Sequence, residues 1–371
     1  MKSEELIRKL VSFDTQCIKS NKEIVKYISS LFPPEIVEII PIKKNKIIVY
    51  NLILSFKGKS NNSPIIFSGH TDTIPLSGEW TKDPFKGEVI NGNIFGLGAV
   101  DMKGGLVAMI LTALKLVGTT PENDVYFLFD ADEECNCVGG KYFADNFNPE
   151  NNKCRIVIGE PTDGKLEIGQ KGVIEFRVTY RGKSIHASKA TREKNKNFNA
   201  ISKVYSALQL IDIEEQRLAK MIDKNFGSPT IAICQINGGS AANVIPDSCS
   251  FVFSRRLLPS EDIEKVKEKL RNMFVSVDSR VQIEELLIGD SNLLSENDNL
   301  YMQASEICNN LLGKCEKDIS AGWTQAGYYK KWGECLIWGP GNKGQAHSVD
   351  EFIELAQIDK MAGCYFALTK I

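Results

Sequence analysis

The chain has 371 residues, 43% of them hydrophobic and 25% charged, with 45 basic against 47 acidic side chains. At about 100–200 residues per domain this length predicts two domains, and so large an apolar share excludes a globally disordered chain. A formal net charge of −2 argues against nucleic acid as a partner, and no run approaches the roughly 18 apolar residues of a membrane span.

The opening Met1-Lys2-Ser3-Glu4-Glu5 lacks the apolar run of an export signal, so a cytoplasmic protein is expected. The 10 cysteines are scattered and include no Cys-x-x-Cys pair. The expectation is reduced, mostly buried thiols with no part in the chemistry.

In chain order, Ile65-Ile66-Phe67 is a short wholly apolar run, followed by a helical pattern over Leu106–Val117. Val125–Phe129 is a second such run, with a helical pattern at Lys141–Asn146, and Ile156–Ile158 is a third. None alternates apolar with polar, which marks strands buried on both faces. Ile174–Tyr180 and the surroundings of Phe251–Phe253 do alternate, as an antiparallel sheet with one solvated face does. Helical stretches at Asn199–Ile211 and Glu261–Phe274, the latter with Ser260 as N-cap, separate and follow these strands. A last helix at Asp298–Leu312 precedes the fourth apolar run, Leu336–Trp338. The fold class expected is therefore α/β, a largely parallel sheet flanked by helices, with an inserted α+β domain of β-α-β-β-α-β order. The boundaries are 1–172 and 288–371 for the discontinuous main domain and 173–287 for the insert.

Ligands in parallel sheets gather beyond the carboxyl ends of the strands. The four apolar runs lead into Ser68-Gly69-His70-Thr71-Asp72, Asp130-Ala131-Asp132-Glu133-Glu134, Gly159-Glu160-Pro161-Thr162 and Gly339-Pro340-Gly341, with His347 beyond. Asp101 joins them from a glycine-rich segment at 96–105. Two of the chain's 3 histidines thus share one edge with several carboxylates. Mixed nitrogen and oxygen donors suit borderline divalent ions, and the charge balance accommodates two. Competing motifs fail. Gly96-x-Gly98 carries Asp101 where a dinucleotide fingerprint has its third glycine, and neither a phosphate loop nor His-Glu-x-x-His nor Gly-x-Ser-x-Gly occurs.

Taken together, SGHTDTIP (68–75), GEWTKDPF (78–85), GLGAVDMKGG (96–105), ADEE (131–134), GEPT (159–162), GKSIHAS (182–188), NGGSAANVIP (237–246), RLLP (256–259) and GPGNKGQAHSVDE (339–351) resemble one family almost end to end. It is the co-catalytic zinc amidohydrolase and exopeptidase family of acetylornithine deacetylase, succinyl-diaminopimelate desuccinylase and glutamate carboxypeptidase. The resemblance implies a zinc-exopeptidase-like main domain and a ferredoxin-like lid through which the chain forms a homodimer. It implies two divalent ions, zinc first with cobalt or manganese as alternatives. Asp101 would bridge them, His70 and Glu160 would complete one shell, and Glu134 and His347 the other. Glu133 would be the general base that takes a proton from the attacking water and returns it to the leaving amine. Asp72 would hydrogen-bond the far imidazole nitrogen of His70. His186, on the lid, would stabilise the oxyanion in the partner copy's site, and Asn243 and Arg256 would bind substrate, Arg256 taking an α-carboxylate. Gln325 stands where the deacetylases carry glutamate, which weakens the reading of an ammonium and keeps citrulline open beside ornithine. The expected reaction is hydrolysis of a small N-acyl amino acid, acetylornithine deacetylation in arginine biosynthesis foremost. Acetylcitrulline deacetylase, desuccinylase and dipeptidase are the alternatives within the family, and a non-catalytic amino-acid-binding protein is the alternative outside it.

Overall fold

The four apolar runs seed four strands, Ser60–His70, Asn123–Asp130, Cys154–Ile158 and Gly333–Ile337, that lie side by side and parallel in the computed structural model. The structure describes residues 2–149, 153–320 and 322–370. Among the described residues these strands are the centre of a nine-stranded sheet. The antiparallel hairpin Val37–Lys44 and Ile47–Phe56 extends it on one side. Leu166–Gln170, antiparallel to Gly333–Ile337, extends it on the other. The strands show no alternation in hydropathy because both faces are covered. Phe67, Phe127 and Val157 pack in one core with helices Ser3–Val11, Gly104–Leu116, Asn299–Leu312 and Leu355–Leu368. Ile66, Leu128 and Ile156 pack in a second core with Val138–Asn146 and Ala326–Tyr329. Each such side chain taken wholly from water contributes about 1.5–3 kcal/mol, which offsets the backbone ordering that fixes the strand ends.

The chain divides into two compact units, Met1–Gly169 with Asn292–Ser320 and Thr324–Ile371, and Gln170–Ser291 with Ala321–Trp323. In the second unit the strand order is Thr230–Gly238, Ser248–Leu257, Gly172–Arg181, Gln282–Gly289, all antiparallel. Two helices, Ala200–Leu218 and Ile263–Val275, cross one face, which gives the β-α-β-β-α-β order. Ile174, Phe176, Val178 and Tyr180 are buried in that unit's core, as their alternation requires.

Two local expectations change. The helix expected to start at Glu261 begins at Ile263, and its cap is Asp262, whose carboxylate accepts from the amides of Glu264 (3.0 Å) and Lys265 (3.2 Å). An ionised acceptor beside the positive end of the helix dipole outcompetes the serine two residues earlier. Not all cysteines are reduced thiols either, since Cys17 and Cys135 form a disulfide. Among the described residues no helix is long and apolar enough to cross a membrane.

Candidate metal centre

His70 is the last residue of its strand, so the ladder that holds Ser60–His70 also fixes where the imidazole leaves the sheet. Its Nδ1 lies 3.0 Å from the main-chain carbonyl of Asp72. A carbonyl only accepts, so Nδ1 carries the hydrogen and Nε2 faces inward. There it meets Asp101 Oδ1 at 3.2 Å and Glu160 Oε1 at 3.6 Å. The expected contact with the Asp72 carboxylate is replaced by this one, the carboxylate standing 3.8 Å from Nδ1. It accepts instead from the amides of Glu133 (3.1 Å) and Glu134 (3.2 Å), anchoring the loop that follows Asn123–Asp130.

Asp101 precedes helix Gly104–Leu116, and Gly105 in its first turn lets the helix come close to Gly159 at the third strand's end. A Cβ on Gly105 would lie 2.2 Å from the Gly159 carbonyl oxygen, so only glycine permits the approach that brings Asp101 towards Glu160. The other oxygen of Asp101 lies 3.3 Å from His347 Nε2, which in turn lies 3.1 Å from Glu134 Oε2. Two donor groups result, His70–Asp101–Glu160 and Asp101–Glu134–His347, the donor atoms in each within 4.8 Å of one another. Asp101 belongs to both.

The electrostatics say what such a cluster requires. Burial pushes the carboxyl of Glu160 up, and Asp101 pushes it further. Burial does the same to Glu133, reinforced by Glu160, Glu134 and Asp72, so it holds a proton well above the ordinary range. His347 is pushed up to about 10 by its hydrogen bonds to Asp101 and Glu134. Burial would lower His70, but Glu160, Asp101 and Asp72 outweigh it and raise it. Crowded carboxylates of this kind need cations among them. The donor set is two imidazole nitrogens with three carboxylates, one shared, which fits a pair of borderline divalent ions.

The remaining expected residues fall elsewhere. Gln325 is fully buried in the first unit and donates to both oxygens of Asp130 at 3.1 Å. Burial raises Asp130 to about 7, and the hydroxyl of Tyr329 also donates to it at 3.3 Å. This buried network carried no sequence signal except the departure at Gln325. In the second unit, strand Ile185–His186 pairs with Val244–Ile245, and the Ala187 amide donates to the Asn243 carbonyl at 2.7 Å. His186 and Asn243 therefore share one exposed ribbon. Arg256 lies at the opposite end of strand Ser248–Leu257, roughly 25 Å along it at about 3.3 Å per residue. Its neighbour Arg255 is buried and paired with Glu261, whereas Arg256 is partly exposed, 4.0 Å from Glu175.

The chain is similar to known proteins over most of its length. The chain is 31% identical over 365 residues to an acetylornithine deacetylase of Buchnera aphidicola, covering 94% of this chain and 90% of that one. It is 30% identical over 325 residues to a probable succinyl-diaminopimelate desuccinylase of Staphylococcus aureus, covering 79% and 80%. An M20 family metallo-carboxypeptidase from Sulfolobus solfataricus superposes with a TM-score of 0.79 at 16% identity, over 100% of this chain and 99% of the other. The pattern describing peptidase family M20/M25/M40 matches residues 66–370. The chain belongs to that family and is a hydrolase of its amide-cleaving type.

Proposed function

We propose that the chain removes the acyl group from a small N-acyl amino acid, N-acetylornithine or a close analogue such as N-acetylcitrulline, as a homodimer with two divalent ions, zinc by preference. The observation that carries this reading is the sharing of Asp101 between two donor groups beside the half-buried Glu133. His70, Asp101 and Glu160 would hold one ion, and Asp101, Glu134 and His347 the other. A pair of such ions supplies the Lewis acidity that activates water and polarises an amide carbonyl.

The chain's own residues do the rest. Glu133, with its backbone fixed by Asp72, takes a proton from water and hands it to the departing amine nitrogen. His186 has Nδ1 occupied by Ser188 Oγ at 2.7 Å, which leaves Nε2 to hydrogen-bond a developing oxyanion. Asn243 works beside it, and Arg256 pairs with the substrate carboxylate. Because Arg256 is so far along its strand from the ribbon, these residues serve different copies of the site, and that supports a dimer. Strand Thr230–Gly238 has a neighbour on one side only among the described residues, with Ile233 and Ile236 exposed. Tyr205 and Ile213 on helix Ala200–Leu218 are exposed too, and such a face suits a second copy. Gln325, sealed against Asp130, does not choose between ornithine and citrulline by direct contact.

A second reading, desuccinylation, is favoured by the 30% identity to the desuccinylase. Turnover of N-acetylornithine, N-acetylcitrulline and N-succinyl-diaminopimelate by the zinc-loaded protein separates the two. Acetyl substrates are expected to be cleaved. Succinyl turnover alone would overturn the choice, and tight binding without hydrolysis would make the chain a binding protein. Mixing His186→Ala with Glu133→Gln protein tests the dimer, because one intact site per mixed pair restores activity only if His186 acts across it.

A further inference from the structure

Asp101 can serve two donor groups only if its backbone is held, and its φ/ψ are not those of a helix. Gly98 has a left-handed φ of 76°, and Asp101 and Met102 lie outside helical φ/ψ just before the helix begins. The amides of Gly98, Val100 and Asp101 converge on one side chain. Glu351 Oε2 accepts from Gly98 at 2.9 Å, and its Oε1 accepts from Val100 at 2.8 Å and Asp101 at 3.0 Å. That carboxylate is 1% exposed, and its own carbonyl accepts from Gly96 at 2.9 Å. Glu351 follows His347 by four residues, and between them Asp350 is pinned by the amides of Thr81 (2.9 Å) and Lys82 (3.1 Å).

We infer that Glu351 is the positioning residue that sets Asp101 between the two ions and locks its segment to the loop bearing His347. This rests on the reading of Asp101 as the shared ligand. Both carboxylate oxygens are acceptors, and together they satisfy three amide donors, two buried and one partly buried. An amide side chain offers one acceptor oxygen and turns an NH2 against the remaining N–H groups, so a glutamine there releases part of the segment. Outer partners of this sort typically govern metal affinity by about 10–100-fold.

The test uses cobalt(II) as the probe ion, titrated into the metal-stripped full chain and read by its visible absorption. Glu351→Gln is expected to bind cobalt about 10–100-fold more weakly with an altered spectrum. Its reloaded kcat should fall with KM little changed, while circular dichroism stays native. Glu351→Asp, which keeps two acceptor oxygens, should recover part of both affinity and spectrum. Wild-type affinity and spectrum in Glu351→Gln would overturn the inference. If that variant fails to fold, wild-type cobalt binding by Glu351→Asp would overturn it, since a shortened carboxylate cannot reach all three amides. The underlying reading fails separately, if the unaltered chain takes up no cobalt or if Asp101→Asn binds it as well as the unaltered chain does.

Discussion

The carbonyl of Asp72 takes the hydrogen of His70 Nδ1 while its carboxylate takes the amides of Glu133 and Glu134, so one residue sets both an imidazole tautomer and the loop of paired glutamates. Glu133 is thereby fixed by its backbone amide, as the proposed role of proton carrier requires. Glu133→Gln should lower kcat by about 10²–10⁴-fold. Elemental analysis of the same preparation should still find both ions, because Glu133 belongs to neither donor group. Loss of the metal in that variant would make it a ligand instead. At this scale the gathering of acids and imidazoles at one sheet edge was legible for His70, Glu134 and Glu160, because such groups just after apolar strands are costly to bury without a cation among them, whereas Asp101 and His347 took their proposed places from the family resemblance. The main-chain acceptor at Asp72 was not legible, since every residue owns a carbonyl and only the fold aims it. Gln325 was legible as a departure but not in its meaning, which depends on Asp130, nearly 200 positions away in sequence.

Elements in the second unit are tied together by charge as well as by apolar burial. Lys203 on helix Ala200–Leu218 donates to Asp278 Oδ2 at 2.6 Å and to the Arg181 carbonyl at 2.7 Å, joining the helix to the end of one strand and to the turn before another. Arg280 donates to the same carboxylate, through Nε at 3.1 Å and through its terminal nitrogen at 3.0 Å. Arg280 first and then Lys203 hold Asp278 below the ordinary carboxylate range, against the opposing effect of burial. The folded state therefore releases this proton more readily than the unfolded chain. Its stabilisation is complete above the unfolded value of about 3.9 and fades as pH falls through the lower folded one. Asp278→Asn should cost about 1–3 kcal/mol at pH 7, from the lost charged partner of a buried lysine. The difference from the unaltered chain should shrink as pH falls below about 4. Urea unfolding at pH 7 and pH 3 measures both, and an equal difference at the two values would exclude the ion pair as its source. The helix and strand types here were readable from periodicity, whereas their ends were not. Helix Ala200–Leu218 runs past the expected Ile211 because Leu218 is again buried and Glu214 pairs with Arg217 at 2.7 Å.

For the molecule as a whole, every donor atom of the proposed ions comes from the first unit, drawn from the end of one strand, from loops after three others and from the segment before one helix. An ion bound there joins parts of the chain as far apart as His70 and His347, so it acts on the folded first unit and has no equivalent in its unfolded state. Ligands that bind only the folded form stabilise it by RT ln(1 + [L]/Kd), about 2.7 kcal/mol at a hundredfold excess over Kd. The second unit has a separate core, built around Phe176, Phe251, Phe253 and Phe274, and among the described residues it contributes no donor atom. Chelation should therefore lower the melting of the first unit while leaving the second unit's transition in place, and zinc should restore the original trace. Scanning calorimetry with and without chelator reads this directly, and hydrogen exchange assigns each transition to its unit. Peptides spanning 96–105 and 339–351 should lose protection on metal removal while those spanning 172–181 and 248–257 keep theirs. Equal loss of protection in both sets would mean that the two cores unfold as one, and no loss in either would remove the ions from the folded state altogether.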